Sequence, residues 1–124
     1  MKDQKIKEER RFTERRKFGY YMRVVDNNTG GLVGYLADIS PRGFKLDSKQ
    51  AFQVNKDYSL RLDLTPEISD KPYITFVARA RWSQLDSNDP YMYNDGFQIV
   101  SISPRDEEIY QRIVVKYGSP ESKW

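Results

Sequence analysis

The chain has 124 residues, the size of a single domain, and its 21 Lys plus Arg against 18 Asp plus Glu give a net charge of +3. It contains neither Cys nor His, which excludes disulfides, thiolate nucleophiles, Cys-ligated metal centres, imidazole bases and the Ser-His-Asp triad. No apolar run approaches the roughly 20 residues that cross a bilayer, and the N-terminal MKDQKIKEERR lacks the apolar core of a secretory signal. A cytoplasmic location without membrane insertion is the matching expectation.

The charge is unevenly placed. Residues 1–18 hold eight basic and four acidic side chains, net +4, whereas residues 19–124 are net −1. With only Ile6, Phe12 and Phe18 as sizeable apolar groups, residues 1–18 show no helical stripe. They are read as a basic arm that orders on contact with something. From Gly19 the texture becomes that of strands. Tyr20 to Val25 is aromatic and β-branched, Asp26 to Gly31 is a turn-forming cluster, and Leu32 to Ile39 is the returning strand of a hairpin. Phe44, Lys45 and Leu46 alternate as a short third strand.

Tyr58 to Leu64 alternates without a break and places four apolar side chains on one face. TPEISDKP, residues 65–72, is a loop. Ile74 to Leu85 is a long strand with Ile74, Phe76, Ala78, Ala80 and Trp82 in one phase and Val77, Arg79 and Arg81 in the other. Asp86 to Asp95 is read as a loop whose aromatics Tyr91 and Tyr93 either meet a partner or cap the barrel, and Gly96 to Ile102 as the last strand. Ser103 then caps a helix opening at Pro104, with Asp106, Glu107 and Glu108 in its first turns and Ile109, Ile113 and Tyr117 on one face. Gly118 ends it. The expected architecture is mainly β: about six antiparallel strands closed into a small barrel, then one amphipathic helix packed on it.

Two short motifs could carry chemistry. Arg10-Arg11-Phe12-Thr13-Glu14-Arg15-Arg16 concentrates guanidinium forks, which match phosphate oxygens and the O6/N7 edge of guanine. Taken alone it reads more readily as a solubilising tail or a nonspecific nucleic-acid arm. Asp38-Ile39-Ser40-Pro41-Arg42-Gly43 lies where the second strand ends. Its carboxylate can accept from the N1 and N2 donors of guanine, its serine can reach a phosphate, and its glycine permits a tight turn. Taken alone it reads as an Asx or Ser turn.

Together, Arg11-x-x-x-Arg15, 22 intervening residues and Asp38-x-Ser40-x-x-Gly43 resemble the PilZ family of bacterial cyclic di-GMP receptor domains. Gly96-Phe97-x-x-Val100 and the Ser103-Pro104 helix start extend the resemblance over nearly the whole chain. It implies a six-stranded antiparallel PilZ-type β-barrel at residues 19–118, with a flexible N-terminal arm at 1–18, a C-terminal helix and a tail at 119–124. It implies that Arg11 and Arg15 grip guanine edges and phosphates, that Arg10 sets how many ligand molecules are held, and that Asp38, Ser40 and Gly43 meet the ligand's second face. Arg16, in a neighbouring register, and Trp82, either stacked on the ligand or buried in the barrel, complete the candidate set.

The expected protein is a non-enzymatic receptor with no catalytic residue, metal or cofactor. Its ligand is cyclic di-GMP, and ordering of the arm relays the signal to an unidentified effector protein in trans. A monomer or weak dimer is expected. The alternative is a ligand-free PilZ-like adaptor acting by protein contact. A single-stranded nucleic-acid binder is disfavoured because the net −1 of residues 19–124 offers no broad basic groove, so no DNA or RNA partner is expected.

Overall fold

The alternation of apolar and polar residues is realised as six antiparallel strands in a computed structural model that describes residues 22–118. The strands are β1 (Arg23–Asp26), β2 (Leu32–Ser40), β3 (Gly43–Ser48), β4 (Asp57–Asp63), β5 (Tyr73–Leu85) and β6 (Tyr93–Ser101), followed by α1 (Pro104–Tyr117). They close into a barrel in the order β1-β2-β3-β6-β5-β4, with β4 returning to β1. Closure leaves no free sheet edge. The arm at 1–18, with Arg10, Arg11, Arg15 and Arg16, and the tail at 119–124 lie outside the described residues, as do Tyr20 and Tyr21 of the expected first strand.

The inward phase is mainly apolar. Val24, Leu36, Ile39, Phe44, Leu46, Leu60, Leu62, Ile74, Ala78, Ala80 and Phe97 are each at most 1 % exposed. Phe97 is the hub: its ring stacks on Phe44 at 5.2 Å and meets Phe52 edge-on at 5.3 Å. The β1–β2 turn is built by Asp26, whose Oδ1 accepts from the backbone N–H groups of Asn28 and Thr29 at 2.7 and 3.1 Å. Gly30, at φ +76°, supplies the left-handed residue that this turn requires.

The helix follows its sequence signals. Ser103 Oγ accepts from Asp106 N–H, Pro104 opens the first turn, and Gly118 N–H closes the last by donating to Val114 O at 2.7 Å. Ile109, Tyr110 and Ile113 join the barrel core. Asp106 is 4 % exposed and accepts from Lys71 Nζ and from Thr75 N–H, tying α1 to the start of β5. Burial alone would raise its carboxyl; those hydrogen bonds and the nearby Lys71 and Arg105 charges outweigh burial and hold it below the usual carboxylate range.

Two expectations require correction. The last strand begins at Tyr93, three residues before Gly96, so Tyr93, Asn94 and Asp95 pair with β3 and β5 rather than forming a loop. Polar composition conceals this segment because Asp95, fully buried, points inward between Ser48 and Ser83. In addition, Trp82 does not share the core phase of Ile74 to Ala80. The β5–β6 register shifts between Ala80 and Trp82, which turns the indole to the outside opposite Gly96.

The hydrogen bonds around Asp95 favour its neutral form. Ser83 Oγ accepts from Phe52 N–H and so donates its own proton to Asp95 Oδ1 at 2.7 Å. Ser48 Oγ lies 2.9 Å from Gln50 O and 2.5 Å from Asp95 Oδ2, yet it has one proton for two acceptors. A protonated Asp95 that donates to Ser48, which donates in turn to Gln50 O, satisfies every group. Burial raises the Asp95 carboxyl, more than the two serine hydrogen bonds lower it, and the Asp47 charge adds to the rise. A carboxyl raised in the folded state stabilises fully below its unfolded value of about 3.9, and that contribution fades as pH climbs through the folded value. Asp95→Asn keeps one acceptor and a donor for Ser48. It should match wild type in acid and exceed it at neutral pH, as checked by thermal melts across pH 4–8.

Candidate ligand-binding site

The β2–β3 turn, Ser40 to Gly43, is held by the helix and by β6. All four of its carbonyls are engaged. Tyr110 OH lies 2.8 Å from both Ser40 O and Gly43 O, Gln111 Nε2 donates to Pro41 O at 2.9 Å, and Ile99 N–H donates to Arg42 O at 2.9 Å. Ser40 itself is fully buried and its Oγ donates to Gly43 O at 3.1 Å. Here the hydroxyl is engaged within the turn. It closes the turn from within, while Pro41 and Arg42 stand exposed.

Asp38 reaches the outer surface through an irregularity. The β2–β3 register runs Leu36↔Leu46 and then Asp38↔Lys45, so Ala37 is an extra residue. This bulge puts Ala37 and Asp38 outward between the buried Leu36 and Ile39. Asp38 is half-buried, and its Oδ1 accepts from Ile39 N–H at 2.8 Å.

Following the ladder from Asp38 defines a row of outward positions across four strands. Asp38 pairs with Lys45 of β3, Lys45 with Gly96 of β6, and Gly96 with Trp82 of β5. At about 4.8 Å per strand, the row spans roughly 14 Å. Trp82, half-buried, lays its indole directly on Gly96. A β-carbon at residue 96 would stand 2.2 Å from Nε1 and 2.3 Å from Cε2. Glycine at 96 is thus what lets the ring lie flat on the sheet. Gly96→Ala should displace the indole, changing Trp82 fluorescence in a Trp124→Phe background.

Of the candidate residues, the structure brings Asp38, Ser40, Gly43 and Trp82 to one region, Asp38 and Trp82 on the outer row and Ser40 and Gly43 in the adjoining turn. Arg79 pairs with Asp57 at 2.7 Å on the exposed outer face, and its hydrogen bond holds the Asp57 carboxyl below its ordinary range. Sequence reasoning missed Lys45, Tyr110 and Gln111. For Lys45 the signal was its polar place between Phe44 and Leu46; the contacts of the helix residues span about seventy positions and left no local signal. Among the described residues, no cluster of Asp or Glu is arranged to hold a metal ion, and no helix is long and apolar enough to cross a membrane.

A closed six-stranded antiparallel barrel with a helix packed on it and a clamped Asp-x-Ser-x-x-Gly turn defines a PilZ-type fold. The PilZ domain family matches residues 9–116, and the chain belongs to that family. Among solved structures, the fold is similar to the PilZ domain with c-di-GMP of YcgR from Escherichia coli, with a TM-score of 0.54 and 16% identity over 78% of this chain and 80% of that one. None of the curated proteins matches the chain.

Proposed function

We propose that the chain is a cyclic di-GMP receptor that relays the signal to a partner protein in trans through ordering of its N-terminal arm. The supporting observation is the outer row itself. An acceptor for base donors at Asp38 and an aromatic plate at Trp82 share one surface, beside a turn whose backbone is held on every carbonyl. Asp38 accepts from guanine N1–H and N2–H, Trp82 offers a stacking face, and Ser40 and Gly43 hold the turn that fixes Asp38. The family match begins at residue 9 and so includes Arg10, Arg11, Arg15 and Arg16, which supply guanidinium forks for phosphate and for the guanine O6/N7 edge. Most of the site's positive charge thus resides on the arm and its shape on the barrel, so a bound ligand joins the two. Arm ordering changes the surface that a partner meets.

Calorimetric titration of the full chain with cyclic di-GMP tests this reading. Saturable heat at micromolar protein, with quenching of Trp82 fluorescence, is expected. Absence of binding in both readouts would leave the ligand-free adaptor as the standing alternative.

A further inference from the structure

We infer that Lys45 is an additional phosphate-binding residue of this site, outside both motifs; the inference rests on the cyclic di-GMP reading above. Lys45 stands on the outer row between Asp38 and Gly96, one strand from each. Its neighbours Phe44 and Leu46 are fully inward at 1 % and 0 % exposed, which fixes Lys45 outward by the strand period. Beyond Gly96 the indole of Trp82 covers β6. The row therefore presents a carboxylate, an ammonium and an aromatic plate in sequence. These are the three chemistries that a guanine nucleotide asks for: an acceptor for the base donors, a cation for the phosphate and a face for stacking.

Five other cations of the barrel are engaged elsewhere. Arg79 is held by Asp57, Arg61 lies against Asp63 and over the Tyr73 ring, and Lys71 is held by Asp106. Lys56 lies over Tyr58 and Lys116 over Tyr117. Lys45 is the cation of the row, and its flexible four-carbon stem lets the ammonium follow a phosphate as a point charge.

The discriminating experiment titrates cyclic di-GMP into wild type, Lys45→Gln, Lys45→Arg, Lys49→Gln, Asp38→Asn and the Asp38→Asn/Lys45→Gln double variant. Lys45→Gln should weaken binding roughly tenfold, Lys45→Arg should restore most of it, and Lys49→Gln, which removes the same charge from an exposed loop, should leave it near wild type. The melting midpoint without ligand should stay unchanged in Lys45→Gln while the ligand-induced rise shrinks. Unaltered affinity in Lys45→Gln would overturn the inference while leaving the receptor reading intact. So would a double variant no weaker than Asp38→Asn alone, since Lys45 would then act only by holding Asp38. A wild-type protein that binds nothing would overturn the receptor reading itself.

Discussion

Truncating Tyr110 to alanine should destabilise the barrel by about 3–5 kcal/mol, the range for removing a large buried aromatic. The ring is 2 % exposed, meets Phe76 edge-on at 6.4 Å, and belongs to the core cluster that joins α1 to the sheet. Tyr110→Phe isolates the hydroxyl. It leaves the shape intact but removes the one proton shared between Ser40 O and Gly43 O, of which Gly43 O keeps the Ser40 hydroxyl, at a cost of about 1–3 kcal/mol. Burial pushes the Tyr110 phenol far above its ordinary value, so the group stays protonated. A raised folded value leaves its stabilisation fully present below the unfolded value of about 10, and the clamp is insensitive to pH across the physiological range. Denaturant melts at pH 6 and pH 8 should show the same Tyr110→Phe deficit. A Tyr110→Phe protein as stable as wild type would mean that water replaces the lost donor. Because the same hydroxyl holds the turn that follows Asp38, Tyr110→Phe should also weaken ligand binding.

That coupling marks the boundary of what local sequence carries. The unbroken alternation of Tyr58 to Leu64 and the Ser103-Pro104 helix start were legible because each is decided by neighbours in the chain, and β4 and α1 form where those signals place them. Asp38 was legible through its motif. What was not legible is what distant partners decide. Asp95 can sit inside a strand because Ser48 and Ser83, 47 and 12 residues away, satisfy it. Trp82 faces outward because a register shift resets the phase after Ala80, and Gly96 has no side chain to oppose the ring. A strict period of two carries the tryptophan into the core, and only pairing with β6 reveals otherwise. The glycine of the Gly96-Phe97 pattern thus has a local reason, as the floor beneath an aromatic plate.

The largest effect on binding is expected from the arm. Arg11→Ala or Arg15→Ala alone should each remove charge-assisted hydrogen bonds worth about 1.5–3 kcal/mol, a loss of roughly ten- to a hundredfold in affinity. The double variant should exceed either single one, but the two losses need not sum, because both side chains would grip one ligand. The barrel core at residues 22–118 is complete without these arginines, so unfolding of the free protein should be unaffected. Loss of binding with an unchanged melting midpoint is the signature that assigns the arm to the ligand rather than to the fold. The contrasting result would be a double variant that binds as wild type does. It would place recognition on the barrel row alone, and with it the whole burden of charge on Lys45 and the exposed Arg42. Raising salt separates the cases further. A site that draws most of its attraction from a net +4 arm should weaken steeply between about 50 and 500 mM salt, as the Debye length falls from roughly 14 to 4 Å. The double variant, stripped of two of those charges, should respond less.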